Sequence, residues 1–262
     1  MNMKESKSNI TKAGVSIMSI INASPDSFAV SQPTLSEQLR CAECALAQGA
    51  DIIDIGGCST RPGSVAVCEE EEWSRIEPFL REFRQKHSDV MLSVDTFRSR
   101  IAQRAIENYN VDIINDVSGG EDEMYEVIAR CGGTYVLTFA ERVGKDDIIQ
   151  AANEWFEKKI TYLTDLGIIN LILDLGFGFN KSFEQNWQLL NHLAKLKRFG
   201  LPVLVGLSRK SMIQKAINEN ASDSLVGTAA AHLVALQNGA DILRVHDIKA
   251  ARNVIDIYNL TK

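Results

Sequence analysis

The chain has 262 residues, 45% of them apolar and 24% charged, with a formal net charge of -6. An acidic balance with no basic stripe leaves no electrostatic footprint for nucleic acid, and no apolar run reaches the roughly 20 residues of a membrane-crossing helix. Only five prolines, no Ser/Gly-rich linker and a length near that of α/β barrels argue for one domain spanning 1–262.

In chain order, the opening "MNMKESKSNITK" is polar throughout. It has no apolar core for a signal peptide and reads as a flexible extension over 1–12. Apolar runs of strand length then recur: "VSIMSII" from Val15, "DIIDIG" from Asp51, "VMLSVD" from Val90 and "VDIIND" from Val111. They continue with "TYVLTF" from Thr134, "NLILDLG" from Asn170, "PVLVGL" from Pro202 and "ADILRVH" from Ala240. Helical patterns such as "SRIAQRAIENYN" and "FEQNWQLLNHLAKLKRFG" separate most of them. Eight strands alternating with helices predict an α/β fold, a (β/α)8 TIM barrel. An open doubly wound sheet is the alternative, but no G-x-G-x-x-G follows the first strand.

The five cysteines are odd in number and scattered, which suits a reducing cytoplasm better than a disulfide framework. Cys41 and Cys44 form a C-x-x-C inside the helical pattern "LSEQLRCAECALAQGA", where two small helix residues are the simpler reading. The acidic run Glu69 to Glu72 reads as the solvated first turns of a helix, where acids suit the dipole.

In such a barrel the strands' C-terminal ends build the active site. Those ends offer Asn22, Asp54 with Gly56 and Gly57, Asp95, Asn115 with Asp116, Asp174, Gly206 with Ser208-Arg209-Lys210, and Arg244 with His246. Strand five offers Thr138 alone. One polar strand end is an ordinary cap or turn; a converging set is costly to bury without a polar ligand to answer it. Asp95, Asn115 and Asp174 suit the N–H edge of a flat heterocycle, since a carboxylate accepts two parallel N–H bonds from an amidine-like edge. Arg61, Arg244 and His246 supply donors for anions. Arg244 and His246 alternate and so share a strand face, although an ion pair with Asp247 is a rival explanation of Arg244. "GGCSTRPGS" forms a loop presenting Thr60 and Arg61, and "GLSRKS" opens a helix near Ser211 whose free N–H groups suit an anion. Phe177 or Phe179 in "DLGFGFNKS" is placed to cover a planar ligand, with ordinary core the other reading of Phe179. No H-x-x-H or H-E-x-x-H occurs, and His87, His192 and His232 fall in helical or surface contexts. A Mg2+ that keeps most of its waters needs one or two protein oxygens, and Asn22 can give one.

Taken together, these motifs resemble those of the dihydropteroate synthase family. "NASPDSF" is similar to that family's N-x-T-P-D-S-F, and "GADIIDIGGCSTRPGS" to its G-A-D-I-I-D-I-G-G-E-S-T-R-P-G. "SVDT", "INDVSGG", "DLGFGFNKS", "PVLVGLSRKS" and "GADILRVHD" follow in the family's order. The resemblance implies a cytoplasmic homodimeric barrel that joins a dihydropterin methyl diphosphate to 4-aminobenzoate by dissociative substitution, releasing pyrophosphate, with Mg2+. By position, it implies that Asn22 touches Mg2+ or diphosphate, and that Asp95, Asn115, Asp174 and Lys210 hold the pterin. Arg244 and His246 would take the diphosphate, Thr60 and Arg61 would sit in the closing loop, and Lys210 and Ser211 would border the aminobenzoate. Phe179 and Gly206 complete the expected substrate-binding set. The expected catalytic groups are Asp95, Asp174, Lys210, Arg244 and His246.

The sequence departs from the family pattern in the first loop, where "AVSQ" replaces S-D-G-G. It departs again after strand five, where "VLTFAER" replaces L-M-H and a polar residue, at D-L-G for D-P-G, and at Cys58 for Glu. The altered first loop keeps one alternative open, a pterin-binding paralogue that does not condense its ligand; a pterin-dependent methyltransferase is a second, against which the presence of "SRKS" and "RVHD" counts.

Overall fold

A computed structural model of the chain describes residues 14–24, 32–58, 67–144 and 147–261. The eight expected strands are present, each starting within two residues of its predicted position. They are β1 (Ser16–Asn22), β2 (Ile52–Gly56), β3 (Met91–Asp95), β4 (Ile113–Asp116), β5 (Thr134–Thr138), β6 (Leu171–Asp174), β7 (Val203–Val205) and β8 (Ile242–Val245). Each pairs in parallel with its neighbour, and β1 pairs with β8, so the sheet closes as β1-β2-β3-β4-β5-β6-β7-β8. This is the predicted (β/α)8 barrel.

Among the described residues the helices are α1 (Leu35–Ala47), α2 (Glu69–Lys86), α3 (Ser99–Tyr109), α4 (Asp122–Cys131), α5 (Ile148–Asp165), α6 (Phe183–Asn191), α7 (Ser211–Ile217), α8 (Leu225–Gln237) and α9 (Ile248–Leu260). Side-chain caps start several of them. Thr34 and Glu37 form a reciprocal capping box at α1, Ser182 and Gln185 form another at α6, and Asp147 caps α5. The pattern "FEQNWQLLNHLAKLKRFG" is divided: α6 stops at Asn191 and a 3-10 turn runs from Leu193 to Phe199. The His192 N–H is shared between the carbonyls of Gln188 and Leu189, at 3.1 and 3.2 Å, which begins the tighter winding.

Strand alternation separates two cores. Outward residues Ile17, Ile53, Leu92, Ile114, Leu137, Leu173, Val203 and Leu243 pack under the helices. Inward residues Met18, Ile52, Ile113, Val136, Ile172, Leu204 and Ile242 fill the barrel itself, with Met91 beside them. Continuing the inward parity toward the strands' C-terminal ends gives Asn22, Asp54, Asp95, Asn115, Thr138, Asp174, Gly206 and Arg244. The apolar barrel interior therefore becomes a floor beneath a polar mouth.

Two expectations are corrected. Asp116 stands on the opposite parity from Asn115 and leaves the mouth: it accepts from Ser118 N and Oγ at 2.8 and 2.6 Å and from the Tyr135 hydroxyl at 2.9 Å. The Glu69–Glu72 run does open α2, but Glu72 is fully buried rather than solvated. It accepts from Thr96 Oγ1 at 2.7 Å and pairs with Arg98. Cys41 and Cys44 lie exposed on α1, with Cys44 Sγ accepting from Gln48 Nε2 at 3.0 Å. The extension over 1–12 lies outside the described residues.

Candidate active site

The mouth is organised around Arg244, which β8 aims inward. Its Nε donates to Asp54 Oδ2 at 2.7 Å and its Nη2 to Asp95 Oδ2 at 2.5 Å. Asn115 Nδ2 also donates to Asp54 Oδ2, at 3.3 Å. Asp247, the rival partner expected for Arg244, is taken by Arg209 in a two-pronged ion pair at 3.0 and 2.7 Å. Arg244 does sit in an Arg–Asp network, but one inside the mouth. Burial alone would weaken its hold on the proton; the carboxylates of Asp54 and Asp95 outweigh that, so the guanidinium stays charged.

Burial raises the Asp95 carboxyl to about 7, against the pull of Arg244, and the nearby Asp54 carboxylate adds to the rise. Asp174 is raised as well, chiefly by burial. The Gly176 N–H, bonded to its Oδ1 at 2.8 Å, opposes the rise, as do the charges of Lys210 and Lys181. Asp54 Oδ1, Asn115 Oδ1, Ser93 Oγ and Thr138 Oγ1 are buried without a hydrogen-bond partner among the described residues. Native interiors rarely leave such atoms unanswered, so several on the inward parity of neighbouring strands point to an occupant with N–H or O–H groups. A Cβ added at Gly206, on the same inward parity past the end of β7, would meet nothing within 4 Å, which marks open space at that strand end.

On the other wall, Lys210 places its ammonium 4.4 Å from the centroid of the half-buried Phe179 ring. Phe177 is 1% exposed and belongs to the core, which leaves Phe179 as the ring at the mouth. Helix α7 begins at Ser211, as expected, and Lys210 is its N-cap. His246 follows β8, with its backbone N–H and its Nδ1 at 3.2 and 3.0 Å from Ser208 Oγ. Asn22 ends β1 in register with Gly56. Thr60 and Arg61 lie outside the described residues.

Comparison with known proteins places the chain in a family. The pterin binding enzyme profile matches residues 18–246. The dihydropteroate synthase of Haemophilus influenzae is 36% identical over 258 residues, covering 94% of this chain and 93% of that protein. The chain belongs to the dihydropteroate synthase family of pterin-binding enzymes. Solved family structures superpose closely. The Coxiella burnetii dihydropteroate synthase in complex with pteroic acid is 34% identical with a TM-score of 0.87, covering 95% of this chain and 94% of that one. The Xanthomonas albilineans dihydropteroate synthase with 4-aminobenzoic acid is 34% identical with a TM-score of 0.89, covering 95% and 93%.

The departures from the family pattern take a physical shape here. Cys58 is half-buried at the stem of the second loop. The strand-five end carries buried Thr138 and Phe139, and the Phe139 carbonyl accepts from Lys181 of the β6–α6 loop. The "AVSQ" replacement lies largely outside the described residues. Two groups at the mouth were given no partner or ligand from the sequence. Asp54 was named there as the end of strand two, and its inward direction was legible because it stands two residues after inward-facing Ile52. The position of Lys181 was not legible, because only the path of its loop brings it beside Asp174.

Proposed function

We propose that this chain is the transferase that joins (7,8-dihydropterin-6-yl)methyl diphosphate to 4-aminobenzoate, giving 7,8-dihydropteroate and pyrophosphate. The observation that carries this reading is that strand parity brings Asp95, Asn115 and Asp174 to the same barrel mouth as Arg244, which bonds Asp95 and Asp54, with His246 and Lys210 just beyond the ends of β8 and β7. Acceptors for a heterocycle edge and donors for an anion stand in one mouth. Family membership selects pterin and diphosphate as the ligands that fit them.

In this reading Asp174, Asp95, Asn115 and Lys210 hold the pterin, with Phe179 against its plane. Arg244 and His246 receive the diphosphate, and Lys210 with Ser211 borders the aminobenzoate. The C–O bond to diphosphate breaks first, its electron pair leaving with the pyrophosphate, while the electron-rich pterin spreads the resulting positive charge. Asp95 and Asp174 favour that cation, and Arg244 favours the departing anion. The aniline nitrogen attacks the methylene carbon and then gives up its proton. Because that amine is neutral near pH 7, no strong general base is required to create the nucleophile, which suits a mouth with no catalytic triad among the described residues.

Among the described residues no group of three or more His, Cys, Asp or Glu could cage a metal. A hard cation bound mainly through water and phosphate oxygens needs no such cage, and the half-buried Asn22 amide at the end of β1 fits that sparse role. A Mg2+ held there would supply positive charge to the leaving diphosphate. Thr60 and Arg61 are assigned to the closing loop, and a homodimer to the assembled state, on family resemblance alone, while the cytoplasmic setting rests on the odd, scattered cysteines. No described helix is long and apolar enough to cross a membrane.

The test is pyrophosphate release by the purified protein. Turnover that requires the pterin diphosphate, 4-aminobenzoate and Mg2+ together is expected. Pterin binding without turnover would replace this reading with a non-condensing paralogue.

A further inference from the structure

Lys181 is a half-buried cation at the mouth for which the proposed reaction has no use. It extends from the β6–α6 loop, and its Nζ donates to Phe139 O at 2.6 Å, Gly176 O at 3.0 Å and Phe179 O at 3.0 Å. An ammonium has three N–H donors, so these bonds use all of them. One acceptor belongs to the end of β5 and two to the loop after β6. The same seam is closed by Asn180 Nδ2, which donates to Ala140 O at 2.9 Å, and by Gly176, where a Cβ would lie 2.5 Å from Phe139 O. Three carbonyl dipoles converging on one point repel each other unless a cation lies between them. The residues they belong to flank the pterin groups: Gly176 N–H bonds Asp174, and Phe179 is the ring at the mouth.

We propose that Lys181 is a positioning residue for pterin binding, its ammonium acting as an internal cation that fixes the β6–α6 loop against the end of β5 and so aims Asp174 and Phe179 into the mouth. This rests on the reading of the mouth as a pterin site. Burial lowers Lys181 to about 8, with Asp174 and Glu141 opposing the shift and Lys210 adding to it. The clamp is therefore charged at neutral pH and loses a donor in mildly alkaline solution.

The experiment measures the affinity for the pterin diphosphate, with Mg2+, from pH 6 to 10 in the wild type, Lys181→Met and Lys181→Arg. In parallel, amide exchange at Gly178 and Phe179 is followed in the unliganded proteins. Lys181→Met should bind about tenfold more weakly at pH 7 and exchange those amides at least tenfold faster. Wild-type affinity should fall above about pH 8 more steeply than that of Lys181→Arg, whose side chain does not titrate there. Changes in Lys210 or in the pterin itself are common to both proteins and cancel in that comparison. Equal pH profiles, or unaltered exchange in Lys181→Met, overturn the proposal. If the wild type binds no pterin at any pH, the site reading fails separately; unaltered exchange would then overturn the clamp, and accelerated exchange would uphold it.

Discussion

At the scale of single residues, the mouth is governed by the cost of burying charge. Asp95 titrates near 7 because burial outweighs the attraction of Arg244, whereas an exposed aspartate titrates near 3.8. The consequence for folding has a definite sign. Below the unfolded value both states carry the proton and nothing is lost. As pH rises toward 7 the folded state keeps a proton that the unfolded chain has released, so stability falls, and above that the loss is complete. Asp174 and Asp116 are raised in the same direction, again chiefly by burial. Asp95→Asn should therefore flatten the decline in unfolding free energy between pH 4 and 7, measured by urea melts across that range. A slope equal to that of the wild type would show that Asp95 is not a source of the decline. Such a carboxyl is poised for a ligand, because a cationic pterin would add to the single positive charge of Arg244 that now opposes its burial.

At the scale of elements, α2 shows how one turn of helix can hold residues with opposite fates. Glu70 and Glu71 lie exposed, while Glu72 turns inward beneath Thr96 and Arg98. Arg98 also donates to Val67 O, so a single cation ties the start of α2 to the segment just before it and to the residues following Asp95. Gly57 completes the joint, since a Cβ there would stand 2.7 Å from Glu72 O. Removing one partner of a buried ion pair leaves the other uncompensated, at about 3–5 kcal/mol. Glu72→Ala should cost that much in chemical denaturation, whereas Glu70→Ala should stay within about 1 kcal/mol, as for exposed ion pairs. Equal effects would mean that burial does not distinguish the two. The helical start was legible in the sequence as an acidic run. The inward acid was not, because which glutamate faces the barrel depends on how the helix rolls against β2 and β3.

At the scale of the whole molecule, the barrel keeps its chemistry and its stability on different levels. Ile172 and its inward neighbours make an apolar plug, and the polar groups of the mouth lie above it. Truncating a buried residue of this kind costs about 2–5 kcal/mol from lost transfer energy and the remaining cavity. Ile172→Ala should fall in that range by urea melts, and a cost below about 1 kcal/mol would contradict a packed interior. The helices outside form a second, larger core, which explains why apolar runs on both strand parities were visible as strands without being separable into inner and outer sets.

By itself the sequence determined the number, order and approximate limits of the strands, because hydrophobic periodicity and punctuation are local properties of the chain. It also determined which strand ends are polar, and hence the class of site, since a parallel barrel brings those ends to one mouth. Only the tertiary structure decided the partners. Arg244 lies between Asp54 and Asp95 while Asp247 serves Arg209, and Lys181 meets three carbonyls drawn from two strand ends. Those pairings join residues as far apart in the chain as Asp54 and Arg244. They depend on closure of the sheet, on strand parity and on loop path, which no local pattern encodes.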